Sequence, residues 1–203
     1  MIELDRTLPE PQSLAAYRVA NPQAGPFEFD HDKTFHPTKR EARERRNAEQ
    51  DGLCVYCEQK LAPTDGHLEH IKPKGGANGH PQLTFDYGNL AHSCNGVIDS
   101  VPNRHCGWTK KDRVLHIEPS PGCNSAFDLL QDGEIRPDEK LPKSRRLELK
   151  YDLDILKLNL PTLKTERADW RKNYVALLLS DAVEAEQYRL LSPFRDILKQ
   201  SHN

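Results

Sequence analysis

No stretch of this 203-residue sequence is apolar for the eighteen or more residues that a membrane span needs. The N-terminus, Met1 to Arg6, lacks the basic region and apolar run of a signal peptide. These absences argue against a membrane-spanning or exported protein and favour the cytoplasm, where thiols stay reduced. Internal repeats and low-complexity tracts are also missing, and the length is that of one domain or of one small core with helical attachments.

The sequence has almost no net charge, −2 at pH 7, from 29 basic and 31 acidic residues. Binding of nucleic acid through overall charge is therefore disfavoured, and any such contact must come from local clusters. One cluster is Lys39–Arg46, in a helix predicted from Thr38, its candidate N-cap, to Gln50. This helix is either a solvated surface with intrahelical ion pairs or a basic face along a phosphate backbone.

Cysteine and histidine are concentrated in residues 54–113, which hold four of the five cysteines and five of the nine histidines. Two thiolates three residues apart form half of a zinc knuckle, and the second half lies downstream across an eleven-residue gap. Because clustered cysteines in a reducing compartment favour metal over disulfides, we predict a structural four-cysteine zinc site. Its ligands are Cys54, Cys57, Cys94 and Cys106.

Three further residues bear on this prediction. His92 and His105 are alternative fourth ligands, and Cys123 lies outside the cluster as an unpaired thiol. Four reduced cysteines that only pack in the core are the metal-free alternative.

Between the two cysteine pairs, Leu68–Pro73 predicts a short strand that contains Glu69 and His70. Adjacent side chains on a strand point to opposite faces, so a shared site requires the strand to end or bend there. The following Lys-Pro-Lys-Gly-Gly at 72–76 is suited to ending it. Histidine supplies a base with a pKa near neutral pH, so His70 is a candidate general base.

Taken together, these motifs resemble the HNH endonucleases, whose ββα-metal fold is a hairpin and a helix around one divalent cation. The matching pieces are Cys-x2-Cys, acid-His-Ile-x-Pro, Gly-Gly and Asn-Leu-x3-Cys within residues 50–113. In detail the segment is similar to the PtuB-type nuclease subunits of Septu anti-phage systems and to their retron-associated relatives. The resemblance implies a DNA endonuclease that works as a defence effector under the control of a PtuA-like ATPase partner.

The resemblance assigns roles only where positions match. His70 matches the general base, Glu69 a ligand of the catalytic Mg²⁺ or Mn²⁺, and Asn89 an asparagine that either holds the loop or ligates. The last motif position falls on Gly107, which has no side chain to ligate with. His105 is the first substitute as the remaining ligand, followed by Asn95 and His92.

Four lysines near these motifs are predicted to hold the substrate backbone without reading bases: Lys72, Lys74, Lys110 and Lys111. Simple solvation of the lysines is an equal alternative. A non-catalytic zinc module for nucleic acid or protein is the main alternative function, and a zinc hydrolase using His70 and Glu69 is a weaker one.

We expect an α+β, mainly helical fold with a zinc-stapled ββα core and helical extensions at both ends. The predicted divisions are a proline-rich arm and basic helix at 1–50, a nuclease core at 51–118, and a loop with C-terminal helices at 119–203. Val114–Glu118 predicts a strand and Asp132-Gly133 a hairpin turn. Arg145–Leu160 fits a strand or a helix, with helix preferred, and one long helix capped by Thr162 runs toward Leu191.

Overall fold

Three helices form the N-terminal part of the computed structural model, which describes residues 1–96 and 103–202. They are α1, Gln12–Ala20, α2, Pro26–His31, and α3, His36–Glu49. Helix α2 begins with a proline at its first position, and the Glu28 side chain accepts a hydrogen bond from the Gly25 backbone N–H. Helix α3 begins at His36 rather than at the predicted cap Thr38.

The centre of the chain is an antiparallel pair of strands, β1, His67–His70, and β2, Leu90–Ser93. In their register Glu69 lies opposite Ala91 and His70 opposite Leu90. A four-residue helix, α4, Gly107–Lys110, follows the second strand in the sequence. The predicted excursion between Cys94 and Cys106 lies partly outside the described residues, because it includes 97–102.

A second antiparallel pair consists of β3, Phe127–Leu129, and β4, Ile135–Pro137, joined through the predicted turn at Gly133. The predicted strand at Val114–Glu118 is wrong. Its backbone N–H groups at His116 and Ile117 donate to the Asp152 carboxylate at 2.8 and 2.9 Å instead of pairing with another strand. A buried carboxylate thus satisfies donors that a ladder would otherwise use.

Helices form the rest of the chain: α5, Lys143–Leu156, α6, Pro161–Ser180, α7, Ala182–Leu191, and α8, Arg195–Leu198. Helix α5 confirms the preference for helix over strand. The long helix predicted from Thr162 is divided, because Asp181 leaves helical geometry and its side chain accepts hydrogen bonds from Val183 N and Glu184 N. Leu160 and Pro161, not Thr162, occupy the start of α6.

Two hydrophobic clusters hold these elements together. The larger combines the cysteine-containing turns with β3, β4 and the C-terminal helices. The smaller packs Phe29 and Phe35 of the N-terminal segment against Leu68, Phe85 and Leu90 of the strand pair. Each cluster draws on more than one of the three predicted divisions.

Glu58 joins the cysteine turn to both ends of the chain. Its buried carboxylate accepts the Met1 ammonium at 2.7 Å and the backbone N–H groups of Asp196 and Ile197 at 2.8 and 3.3 Å. A buried carboxylate costs free energy unless it is paired in this way.

The fold is α+β and about half helical, with two small two-stranded sheets. Within residues 1–96 and 103–202, none of the helices has the length and apolar character that crossing a bilayer requires.

Candidate metal centre and active site

The four predicted cysteines converge although 52 positions separate the first from the last. Cys54 and Cys57 lie in a tight turn, closed by the Glu58 N–H donating to the Cys54 carbonyl at 3.0 Å. Cys94 follows β2, and Cys106 immediately precedes α4. The four Sγ atoms all lie within 4.8 Å of one another, which is close enough to hold a metal ion.

This donor set fits zinc. Tetrahedral zinc with Zn–S bonds of about 2.3 Å requires sulfur atoms roughly 3.8 Å apart. The Sγ atoms of Cys57 and Cys94 are 3.8 Å apart. Hydrogen bonds from the neighbouring thiols, Cys106 first, lower the pKa of Cys94, and the thiolate is the form that binds metal.

His105, predicted either as an alternative fourth zinc ligand or as a ligand of the catalytic cation, lies beside the cysteine cluster. Its Nε2 lies 3.6 Å from the Cys94 Sγ, and its Nδ1 donates to the Asn103 carbonyl at 2.8 Å. His105 directly precedes Cys106, which brings its ring to the cysteine cluster. Both ring nitrogens of His92 have hydrogen-bond partners in this structure: the Asp65 carbonyl and the Asn47 amide.

The face of β1 that includes Glu69 points toward α4. Glu69 Oε2 lies 2.9 Å from His67 Nε2, and its Oε1 accepts a hydrogen bond from Lys110 Nζ at 3.0 Å. Burial alone would raise the pKa of Glu69, but the His67 hydrogen bond and the Lys110 charge outweigh it and leave the pKa lowered. Asn95 Oδ1 continues the chain of contacts at 2.9 Å from His67 Nδ1.

Gly107, the position where the motif leads one to expect a ligand, faces the same group. A Cβ atom at Gly107 would lie 2.5 Å from Glu69 Oε2 and 2.7 Å from His67 Nε2. The missing side chain therefore leaves the space in which the carboxylate and the imidazole meet. A larger residue would require both side chains to move.

His70 lies on the opposite face of β1, as strand alternation requires. Its Nε2 donates to the Thr84 carbonyl at 2.9 Å, because a carbonyl oxygen can only accept. The ring packs edge-on against Phe29, with centroids 4.5 Å apart. Burial lowers the pKa of His70 to about 4, so the imidazole is neutral at pH 7 and its Nδ1 carries the lone pair.

Asn89 is a loop anchor in this structure. Its Oδ1 accepts the Lys72 N–H at 2.8 Å, and its Nδ2 donates to the carbonyls of Lys72 at 2.9 Å and Leu83 at 3.3 Å. The side chain is fully buried. Of the two roles that the resemblance left open, holding the loop after His70 is the one that this geometry matches.

The four predicted substrate lysines fall into two groups. Lys72, Lys74 and Lys111 have their ammonium groups at the surface, where Lys72 and Lys74 make ion pairs with Glu118 and Asp30. Lys110 is fully buried and also donates to the His70 carbonyl at 2.9 Å. The Lys110 ammonium is thus enclosed between Glu69 and the β1 backbone, away from the surface on which the other three lysines lie.

Sequence reasoning missed His67 and Tyr56, whose hydroxyl lies 3.3 Å from Glu69 Oε1. His67 could have been found, because residues two apart on a strand share a face. Tyr56 had no such signal, since its contact depends on how the cysteine turn packs on β1.

Comparison with known proteins gives a clear relative. A protein of Vibrio cholerae serotype O1 biovar El Tor, named "Retron Vc95 putative HNH endonuclease", is 38% identical to this chain over 161 residues. The alignment covers 79% of this chain and 77% of that protein. No family model matches the sequence.

Proposed function

The chain belongs to the HNH endonuclease family, and on that premise we propose that it is a metal-dependent endonuclease that hydrolyses phosphodiester bonds in DNA. The observation that carries the proposal is the setting of His70. One ring nitrogen is tied to a backbone carbonyl, which fixes the tautomer and leaves the other nitrogen as a base. The adjacent Glu69 is an ionised carboxylate that faces a neighbouring imidazole.

In this mechanism Nδ1 of His70 takes a proton from the water that attacks phosphorus. The Thr84 carbonyl, already hydrogen-bonded to Nε2–H, stabilises the positive charge that the ring then carries. Asn89 keeps the backbone after His70 in place, because its amide bonds to both the N–H and the carbonyl of Lys72. Phe29 restricts the ring to one orientation.

We assign the catalytic cation, Mg²⁺ or Mn²⁺, to Glu69 together with His67. The chemistry of the donors fits: a buried carboxylate oxygen lies 2.9 Å from one imidazole nitrogen of His67, and the Asn95 amide oxygen lies 2.9 Å from the other nitrogen. When bound, the cation would offset negative charge on the phosphate and on the leaving oxygen. Lys110 neutralises the other oxygen of Glu69 and keeps the carboxylate oriented.

We assign zinc to the four cysteines as a structural ion, because four thiolates leave no open coordination position. The ion would fix Cys106 and therefore the start of α4, which carries Gly107 and Lys110 to Glu69. Lys72, Lys74 and Lys111 are the remaining candidates for contacts with the substrate backbone.

For the biological role, we propose the nuclease effector of an anti-phage defence complex, of the PtuB type, with a PtuA-like ATPase partner. The support is the motif resemblance in residues 50–113 and the retron in the name of the Vibrio cholerae relative. The N-terminal arm and the C-terminal helices are the surfaces that we assign to the partner. Four exposed apolar side chains favour the second of these: Leu179, Val183, Leu190 and Leu191.

The test is a plasmid-nicking assay with Mg²⁺ or Mn²⁺, using the chain alone and the chain purified with its ATPase partner. We expect His70→Ala to lose cleavage while it keeps its metal and its fold. His36→Ala is the matched control, because His36 is exposed at the start of α3 and has no part in the proposed chemistry. It should cleave like the parent.

Two results would count against the nuclease. One is a His70→Ala chain that cleaves as fast as the parent. The other is an assembled and activated parent complex that leaves the plasmid intact, which would favour a non-catalytic zinc module.

A further inference from the structure

Helix α5 has several basic residues at its N-terminal end, where positive charge does not stabilise a helix. Lys143, Arg145 and Arg146 lie in its first turn, which contains no acidic residue. The helix dipole favours anions at this end and disfavours cations. These charges therefore cost the helix some stability, and a function in binding would account for them.

The basic side chains of α5 line a cleft of about 350 Å³ against β4. Its cations are Arg136, Lys143, Arg146 and Lys150, and its acid is Glu139. Lys143, Arg146 and Lys150 follow one another at three- and four-residue spacing, so they form one stripe along the helix.

Most of this charge has no partner within the part of the chain that the structure describes. Lys143 and Lys150 are exposed and make no ion pair with a described residue, whereas Arg136 pairs with Glu139 at 3.3 Å. Arg146 Nε is buried without a hydrogen-bond acceptor among the described residues. An acceptor oxygen of a bound phosphate would satisfy this donor.

The spacing of the stripe matches a nucleic-acid strand. Lys143 and Lys150 are seven residues apart, which is about 10 Å along a helix axis. Three nucleotide steps of one strand in a duplex also cover about 10 Å. Two lysines with an arginine between them can therefore reach phosphates within three nucleotide steps of one strand, when the helix lies along the duplex axis.

The cleft is connected, through a second cleft, to the loop that follows the proposed base. Leu147 borders both this cleft and a second one that Asp112, Arg113 and Tyr151 line. Asp112 in turn approaches Gly76 in the loop after His70, where a Cβ would lie 3.0 Å from the Asp112 side chain. A surface thus extends from the loop beside the proposed base to the basic stripe.

We propose that the cleft along α5 binds the phosphate backbone of duplex DNA beyond the bond that is cut. The proposal rests on the proposed function, since it adds a second contact for the same substrate. Binding there would be independent of base sequence, because phosphate contacts position a duplex without reading it.

The experiment measures binding of a fluorescent 30-base-pair DNA duplex by anisotropy between 50 and 200 mM salt. All chains carry His70→Ala, so the duplex stays intact. Lys143→Glu combined with Lys150→Glu removes the outer charges of the stripe. The control combines Lys33→Glu with Lys172→Glu, two exposed lysines elsewhere, and changes the net charge equally. An acid at position 143 suits the helix dipole, and circular dichroism of each variant shows whether lost binding comes from unfolding.

We expect the cleft variant to bind at least tenfold more weakly than the control. Its salt dependence should fall by about two units of slope, one for each lost phosphate contact. Equal affinity and slope in the two variants would overturn the proposal and reassign the cleft to an acidic protein segment. A parent that does not bind the duplex would overturn it as well. Cleavage is not read in this assay, so failure of the nuclease proposal is seen separately, in the nicking test.

Discussion

The burial of His70 should make the stability of the protein depend on pH in the acid range. The folded chain lowers its pKa from the ordinary 6.5 to about 4, mainly by burial. As the pH falls, the unfolded chain therefore takes up a proton first. The stability that the neutral ring contributes is complete above pH 6.5 and is lost as the pH falls toward 4.

We accordingly predict that the parent loses about 2 kcal/mol more unfolding free energy than His70→Ala between pH 7 and pH 5. Urea unfolding at the two pH values measures it. Because both chains contain the same cysteine cluster, acid effects on metal binding cancel in the comparison. Equal losses in the two chains would mean that His70 is not buried as a neutral ring.

The buried ion pair between Lys110 and Glu69 should also have a measurable effect on the free energy of unfolding. Lys110→Ala leaves the Glu69 carboxylate buried without its cation, which we expect to cost about 3 kcal/mol of unfolding free energy. Lys111→Ala changes an exposed neighbour and should cost less than about 0.5 kcal/mol. Chemical denaturation of both variants gives the comparison, and similar stabilities would contradict the buried pair.

For single residues, the sequence predicts which side chains take part in a site better than it predicts which neighbour each side chain contacts. The cysteine spacing led to four thiols that do converge, and alternation on a strand correctly separated Glu69 from His70. It offered His105 to either site without deciding between them, and it did not reveal that His67 turns to Glu69. Those choices depend on how the segments on either side of the hairpin pack in three dimensions, which spacing does not encode.

Among the elements, the β3–β4 turn is fixed by its contact with α6. A Cβ on Gly133 would lie 1.9 Å from the Lys164 carbonyl oxygen, and the residue has a φ of +79°. Gly122 has the same φ, but nothing lies within 4 Å of its Cβ position. The two glycines thus separate the cost of a left-handed backbone from the cost of a clash.

We predict that Gly122→Ala costs about 1 kcal/mol and that Gly133→Ala costs at least about 2 kcal/mol more. Thermal unfolding of the two variants measures the difference. Equal costs would show that the turn moves away from α6 without penalty.

Elements with a clear period were predictable and elements set by tertiary contacts were not. Helix α5 follows from the spacing of Leu149, Leu153 and Leu156, all of which are buried. Helix α2 was missed, because its short proline-bounded sequence becomes helical while Phe29 packs on His70. The helix is interrupted at Asp181 because this residue caps the start of α7. A single aspartate within a long helical pattern was too weak a signal to predict that cap.

At the scale of the whole molecule, the cysteine cluster joins turns that are distant in the sequence, so metal removal should affect the entire fold. We predict one zinc per chain, and we expect Cys54→Ala to release it and to unfold the centre. Cys123→Ala is the control, since Cys123 is equally buried but outside the cluster. Metal analysis and circular dichroism report the two effects. Normal zinc content in Cys54→Ala would refute the assignment.

The contacts of Glu58 have a consequence for the order in which the protein is synthesised. Cys106 completes the metal-binding set, but the backbone donor at Asp196 is made 90 residues later. At typical translation speeds that interval is roughly 5 to 18 seconds. During it, the cysteine turn can already collect its ion while the carboxylate beside it lacks its donors from the C-terminal helix. Translation products that stop before Asp196 would lack this brace, so the cysteine turn reaches full stability only after Asp196 has been made.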